Sequence, residues 1–176
     1  QYVVALQQII SRNIDPKNTE IISVGTLNAG TAVNIIADHA RLSMNVRSYD
    51  IASRDITKRK LYDIADGIGK ITDCAFELEY VDGYEPTINR EGVAELVADA
   101  CRKHLGGDSV EIGDYDLGSD DFSYYMNATG TPGAYFFLLA GYEGGGRYVN
   151  HHPRFSWKEA AMKTGVGAYL AVVNEY

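Results

Sequence analysis

Val3, Leu6 and Ile10 fall at the i, i+3 and i+7 positions of one helical face, so the chain opens inside an amphipathic helix with no capping residue ahead of it. There is also no initiating Met, and the two features together predict a fragment whose preceding segment is missing. Ile21 to Leu27 reads as a strand, and Asn28-Ala29-Gly30 as the turn that joins it to a second strand. In that second strand Leu42, Met44 and Val46 alternate with Ser43, Asn45 and Arg47. One face therefore meets a core, and the other is polar and carries Arg47. Ile56, Leu61, Ile64, Ile68 and Ile71 then follow near-helical spacing, after which Phe76, Leu78 and Tyr80 alternate with Glu77 and Glu79 as a third strand.

The order helix, strand, strand, helix, strand is that of a ferredoxin-like βαββαβ layer lacking its first strand, with helices on one sheet face. The polar, turn-rich Asp82-Gly83-Tyr84-Glu85-Pro86 predicts a boundary, which divides residues 1–83 from 84–176. Beyond it Val93, Leu96, Val97 and Ala100 mark a helix ending near Leu105-Gly106-Gly107, with glycine where a C-cap wants it. Ala134 to Ala140 is a continuous apolar run between Pro132-Gly133 and Gly141, the pattern of a strand buried on both faces. Met162, Val166, Tyr169, Leu170 and Val173 make a closing helix. The expected fold class is α/β with an α+β first domain, and the second half holds too few elements to complete a layered domain.

Composition narrows the partners. A chain of 176 residues with 45% hydrophobic content can bury a core in one domain or two small ones. A net charge of −8, with the second half the more acidic, argues against nucleic acid or an anionic membrane as partner. The basic cluster Lys58-Arg59-Lys60 lies in a predicted helix and reads as a solvated face. No apolar run approaches the ~20 residues of a membrane span, and no signal-like start is present. Cys74 and Cys101 lack CxxC spacing and read as free thiols, which agrees with a reducing, cytoplasmic compartment. Asn127-Ala128-Thr129 is a glycosylation acceptor in form only, since such triplets arise often by chance.

The chemistry concentrates late in the chain. His151-His152-Pro153-Arg154-Phe155 puts half of the four histidines into one loop beyond an apolar run, and imidazole is the commonest metal-binding side chain. For an arbitrary His-His pair, ordinary hydrogen bonding is the better expectation. Asp114, Asp116 and Asp120 have the alternate spacing of a calcium loop, but Gly118 takes a ligand position and Tyr125 stands where the bidentate Glu belongs. Gly141, Gly144 and Gly146 run on to His-His-Pro without opening a helix, so they make an active-site loop and not a phosphate cradle. Gly118-Ser119 lacks the second glycine of a nucleophile elbow, which leaves a serine hydrolase unsupported.

Five elements in order carry a resemblance over nearly the whole chain. They are Gln7-Gln8-Ile9-Ile10-Ser11-Arg12 with Asp15-Pro16; Asn34-Ile35-Ile36-Ala37-Asp38; Arg47; Gly118-Ser119-Asp120-Asp121-Phe122; and His151-His152-Pro153-Arg154-Phe155. Together they resemble the co-catalytic metallopeptidase family that includes aminoacylase, hippurate hydrolase, carboxypeptidase G and the auxin-conjugate amidohydrolases. The resemblance implies that residues 1–83 are part of a lid and dimerisation domain, and that 84–176 are the C-terminal part of a metal-dependent catalytic domain. It implies a pair of zinc ions, with manganese, cobalt or nickel as other metals that suit imidazole. It also implies amide hydrolysis in N-acyl amino acids or small peptides by a parent enzyme that dimerises through its lid.

On that resemblance His151 matches the last metal ligand, two residues before Pro153, and His152 is a neighbour. Asn34 matches the amide that reaches the reacting oxygen, and Arg47 the guanidinium that binds the substrate carboxylate. Gly141, at the mouth of the glycine loop, is a candidate substrate contact. Without the resemblance, Asn34 reads equally as a turn former and Arg47 as a surface ion-pair partner. Asp120 departs from the family's glutamate. The family's remaining ligands and its general base come from an earlier segment, so the fragment alone is expected to be inactive. His39 beside the lid strand and His104 at a helix end offer no replacement. The competing class is a non-enzymatic dimerisation or binding module derived from the same family. Acyl group and amino acid stay open, because pocket walls lie partly outside the chain.

Overall fold

Leu6 and Ile9, both at 0% exposure, anchor the first core of this protein, whose computed structural model describes residues 1–114, 116–118, 120–141, 148 and 150–176. They belong to α1 (Tyr2–Asn13), followed by β1 (Glu20–Ala29), β2 (Ala40–Ser48) and α2 (Ile51–Thr72). After these come α3 (Glu91–Leu105), a 3₁₀ turn at Gly107–Ser109, α4 (Phe122–Thr129) and α5 (Ala161–Glu175). The result is a mixed α/β fold with a two-stranded antiparallel sheet. The chain divides into two compact units, Gln1–Pro86 with Asp116–Ser119 and Thr87–Tyr115 with Asp120–Tyr176. Among the described residues no helix is long and apolar enough to cross a membrane.

In the first unit, α1 and α2 supply Tyr2, Leu6, Ile9, Leu61 and Ala65 to a core that Ile22, Val24, Leu42, Met44 and Val46 of the sheet close. The alternation along β2 works as the sequence implies, with Leu42, Met44 and Val46 half-buried and Ser43, Asn45 and Arg47 exposed. An extra residue, Gly25, breaks the register between Val24↔Met44 and Thr26↔Ser43. Asn28 and Ala29 pair with Arg41 and Ala40, so the expected turn at 28–30 is instead the end of the ladder. The connection begins at Gly30, whose φ of 70° suits a residue without Cβ.

Helical spacing located α2, but its fully buried stripe is Ser53, Thr57, Leu61 and Ala65, all four residues apart. Small side chains let the helix lie close, and Ile71 is left exposed. Asp50 caps this helix by accepting the Ser53 N–H at 2.7 Å.

The strand expected at Phe76–Tyr80 carries no ladder. Its alternation reports burial correctly, since Leu78 and Tyr80 pack on the core and Phe76 meets the ring of Tyr2 at 5.4 Å. Side chains fasten it instead of backbone. Lys58 pairs with Asp82 at 2.6 Å and lies over the ring of Tyr80.

In the second unit α3 and α5 pack through Ala98, Ala100, Cys101, Ala168 and Ala171, all buried. Gly106 ends α3 as expected, with φ 113° and its N–H on the Arg102 carbonyl. A Cβ on Gly167 would come within 2.9 Å of Leu105 Cδ2, and one on Gly165 within 3.0 Å of Leu138 Cδ2.

Ala134–Ala140 is not a strand buried on both faces. Phe136 meets Tyr169 of α5 at 5.8 Å, while Phe137 and Leu139 are 63% and 78% exposed. An apolar run needs a covering layer on each side to be buried, and here α5 covers one. Both backbone groups of Tyr135 are taken by the Asn89 amide, at 2.6 and 2.8 Å, which substitutes for a neighbouring strand at that residue.

Candidate functional site

Arg47 stands on the polar face of β2, opposite Ile21 and beside Asn45. Its Nε donates to Asn45 Oδ1 at 3.2 Å and its Nη1 to the Leu117 carbonyl at 2.6 Å, in the same compact unit. Both acceptors are neutral. Among the described residues the guanidinium has no carboxylate partner, so a full positive charge is held in place without being neutralised.

Asn34 is exposed in the connection between β1 and β2, in a turn where Val33 and Ile36 are also exposed. Its neighbour His39 lies with Nδ1 2.7 Å from Asp38 Oδ1, a hydrogen bond that holds the Asp38 carboxyl below its ordinary range. Asn34 and Arg47 are thus both in the first unit.

Gly141 and His151 are in the second. Gly141 is exposed, and among the described residues a Cβ there would meet nothing within 4 Å, so they give no steric reason for glycine at this position. Gly144 and Gly146 of the glycine loop lie outside the described residues, as does Ser119 of the Gly118–Phe122 element.

His151 has φ 70°, in the left-handed region that non-glycine residues adopt uncommonly and that His, Asn and Asp enter more readily than most. Its backbone N–H donates to Asn150 Oδ1 at 3.0 Å. Its imidazole is exposed and, among the described residues, makes no hydrogen bond, which leaves both ring nitrogens open to a ligand. His152 is engaged very differently. Its ring stacks on Tyr148 at 4.1 Å and 14°, and its Nδ1 accepts the Arg154 N–H at 3.0 Å.

Asp120 has a structural task that the sequence left open. Oδ1 accepts the Phe122 N–H at 2.9 Å at the start of α4, and Oδ2 accepts the Tyr135 hydroxyl at 3.1 Å. Asp116 accepts the Gly118 N–H at 2.9 Å, an Asx turn and not a calcium loop. His104 is likewise occupied. It lies 2.7 Å from Glu175, which also receives Lys103, and these two contacts hold the Glu175 carboxyl below its ordinary range.

Among the described residues no group of three or more His, Cys, Asp and Glu side chains could hold a metal ion. His151 nevertheless fits the role of one ligand: an exposed imidazole whose ring nitrogens make no hydrogen bond among the described residues. The helix α4, the Asp120–Tyr135 contact and the His152–Tyr148 stack were not read from the sequence. The only signal for the last was the aromatic and basic content around Pro153.

Comparison with known proteins adds an independent line. The sequence matches Peptidase family M20/M25/M40 over residues 4–175. The YhaA protein of Bacillus subtilis (strain 168) is 33% identical over 177 residues, covering all of this chain and 44% of YhaA. The hippurate hydrolase of Campylobacter jejuni is 34% identical over 124 residues, 70% of this chain and 32% of the enzyme. The fold is similar to that of Bacillus subtilis YXEP, a dinuclear metal binding peptidase, with a TM-score of 0.75 at 23% identity, over 99% of this chain and 46% of YXEP. The chain therefore spans less than half the length of each of these proteins.

Proposed function

Because the chain belongs to Peptidase family M20/M25/M40, we propose that it is part of a metal-dependent amidohydrolase that cleaves the amide bond of N-acyl amino acids or small peptides. Residues 1–83 form part of a lid and dimerisation domain, and residues 84–176 the last part of the catalytic domain. The parent enzyme is a cytoplasmic homodimer that uses two divalent ions, zinc by preference, with manganese, cobalt or nickel as substitutes. The hippurate hydrolase of Campylobacter jejuni, by its name, acts on one such substrate.

The observation that carries this reading is the state of Arg47. Its guanidinium is exposed and oriented by two neutral oxygens, Asn45 Oδ1 and the Leu117 carbonyl. A planar fork held in this way has the geometry to take the α-carboxylate of an N-acyl amino acid. Asn34 offers an amide N–H to the oxygen on which negative charge develops as the amide carbon is attacked. Gly141, which is exposed, is the contact for the substrate chain. His151 holds one metal ion through its imidazole. The chemistry such a metal pair supplies when bound is polarisation of the amide carbonyl and activation of water near neutral pH.

Hydrolysis of hippurate and of N-acetyl amino acids by the full-length, zinc-loaded polypeptide tests the proposal. Release of the free amino acid, abolished by His151→Ala and weakened by Arg47→Ala, is the expected result. A full-length protein that binds metal and leaves every N-acyl amino acid and small peptide intact would overturn it.

A further inference from the structure

His151 and its neighbour occupy a turn that is built more firmly than its exposure suggests. Four contacts define it. The Asn150 side chain holds the His151 N–H. The rings of His152 and Tyr148 stack in near-parallel planes at 4.1 Å. Arg154 Nη1 donates to the Tyr148 hydroxyl at 3.1 Å. The Phe155 N–H closes on the His152 carbonyl at 2.8 Å. Pro153 adds a fixed φ in the middle.

The hydrogen bond from the Arg154 N–H to His152 Nδ1 has the pattern of an Asx turn, in which a side chain accepts from the amide two residues on. It assigns the proton of the neutral ring to Nε2 and uses up the acceptor nitrogen. His152 is therefore committed to the protein, while His151 has no such commitment. A non-glycine residue at φ 70° is costly unless its surroundings over-determine it, and the neighbours named above are those surroundings.

We propose that His152 is a positioning residue: stacked on Tyr148 and bonded to the Arg154 amide, it holds the left-handed backbone at His151 and thereby presents the His151 imidazole to a metal ion. Tyr148 is its platform, and Arg154 braces both. This inference rests on the reading of His151 as a ligand and goes beyond it, because it gives a role to a histidine that touches neither metal nor substrate. Residues that orient a ligand from behind characteristically change metal affinity by about 10- to 100-fold when removed.

The test measures zinc affinity of the full-length polypeptide by competition with a chromophoric chelator, together with the visible spectrum of the cobalt(II) form. His151→Ala is the reference. His152→Ala and Tyr148→Ala are expected to weaken zinc binding about tenfold and to change the cobalt spectrum, at unchanged Tm. His152→Asn, whose Oδ1 can accept the Arg154 N–H but which has no ring to stack on Tyr148, is expected to restore part of the affinity lost in His152→Ala, and Tyr148→Phe, which keeps the stack, to stay near the parent. If His151→Ala alters neither affinity nor spectrum, the ligand reading itself is wrong. If His151→Ala loses zinc while His152→Ala, His152→Asn and Tyr148→Ala all bind like the parent, the positioning role is overturned and the ligand reading stands. Should His152→Ala fail to fold, His152→Leu against His152→Asn decides, and equal affinities in that pair overturn the proposal.

Discussion

Arg47 reaches across seventy residues of sequence to donate from Nη1 to the main-chain oxygen of Leu117 at 2.6 Å. A cation that spends one donor on a neutral carbonyl and another on Asn45 keeps its remaining fork for a ligand, while losing little side-chain freedom when that ligand arrives.

Replacing Arg47 should therefore act on binding of the carboxylate end of a substrate. Loss of a charge-assisted hydrogen bond is worth about 1.5–3 kcal/mol, or roughly 10- to 100-fold. In the full-length polypeptide, Arg47→Ala should raise KM for N-acetyl amino acids by that factor and leave N-acetyl amino acid amides unaffected. Arg47→Lys should recover part of the loss, since it restores charge without the planar fork. Equal losses for acid and amide substrates would place Arg47 outside carboxylate recognition.

Asn45 should show a smaller echo of the same effect. Asn45→Ala removes the acceptor that holds Nε, and the expected rise in KM is a few-fold, in line with about 1 kcal/mol for one hydrogen bond. Double-mutant analysis with Arg47→Ala should be strongly non-additive, because the second change has nothing left to orient.

Tyr2 links fold stability to alkaline pH. Burial, reinforced by the nearby Tyr62 phenol, pushes its pKa up to about 12, and its hydroxyl donates to the Leu61 carbonyl at 3.1 Å. The neutral phenol is the form that the fold favours. Its contribution is complete below the ordinary phenol value of 10.0, falls as pH rises from there, and is exhausted above about 12. Denaturant midpoints should drop between those limits, and Tyr2→Phe should be flatter across the same window.

The two thiols should label at different rates. Cys74 is exposed, whereas Cys101 is buried between α3 and α5 and its pKa is raised by that burial. A thiol-disulfide reagent at pH 8 should modify Cys74 promptly and Cys101 only as fast as the second unit opens. Equal rates in the native state would mean that the α3–α5 contact is loose.

Leu6 is fully buried at the centre of the first core, and Leu6→Ala should cost about 2–5 kcal/mol. The change should appear as a lower midpoint in urea, with metal binding at saturation unaffected.

The periodic part of this architecture was legible in the sequence, and the non-periodic part was not. Spacing of Val93, Leu96, Val97 and Ala100 located α3, and alternation along β2 put Arg47 on its polar face. The same logic failed at Phe76–Tyr80, where burial alternates without a hydrogen-bonded neighbour. Alternation follows contact with a core, and a ladder needs in addition a free edge in register. The run Ala134–Ala140 failed for the complementary reason, since apolar content measures how much a segment gains from cover without saying that cover is present. At the candidate site, resemblance named Asn34, Arg47, Gly141 and His151, but the left-handed backbone of His151 and the stacked pair behind it arise from contacts that no spacing rule encodes. Asp120, a departure in sequence, makes its meaning plain only once Tyr135 and the Phe122 amide are seen against it.

The close fit of α5 against Leu105 and Leu138 carries a consequence for how this chain can vary. One added carbon at Gly167 or Gly165 would force a leucine to move, and the alanines at 168 and 171 leave as little room. On the opposite side of the same helix Val166, Leu170 and Val173 are exposed, and Tyr169 meets the ring of Phe136. A single helix thus has two mutational clocks: a stalled one on the inner side, where size is rationed to one methyl, and a faster one on the outer. Saturation mutagenesis across Ala161–Glu175 would record them as a helical wave of tolerance.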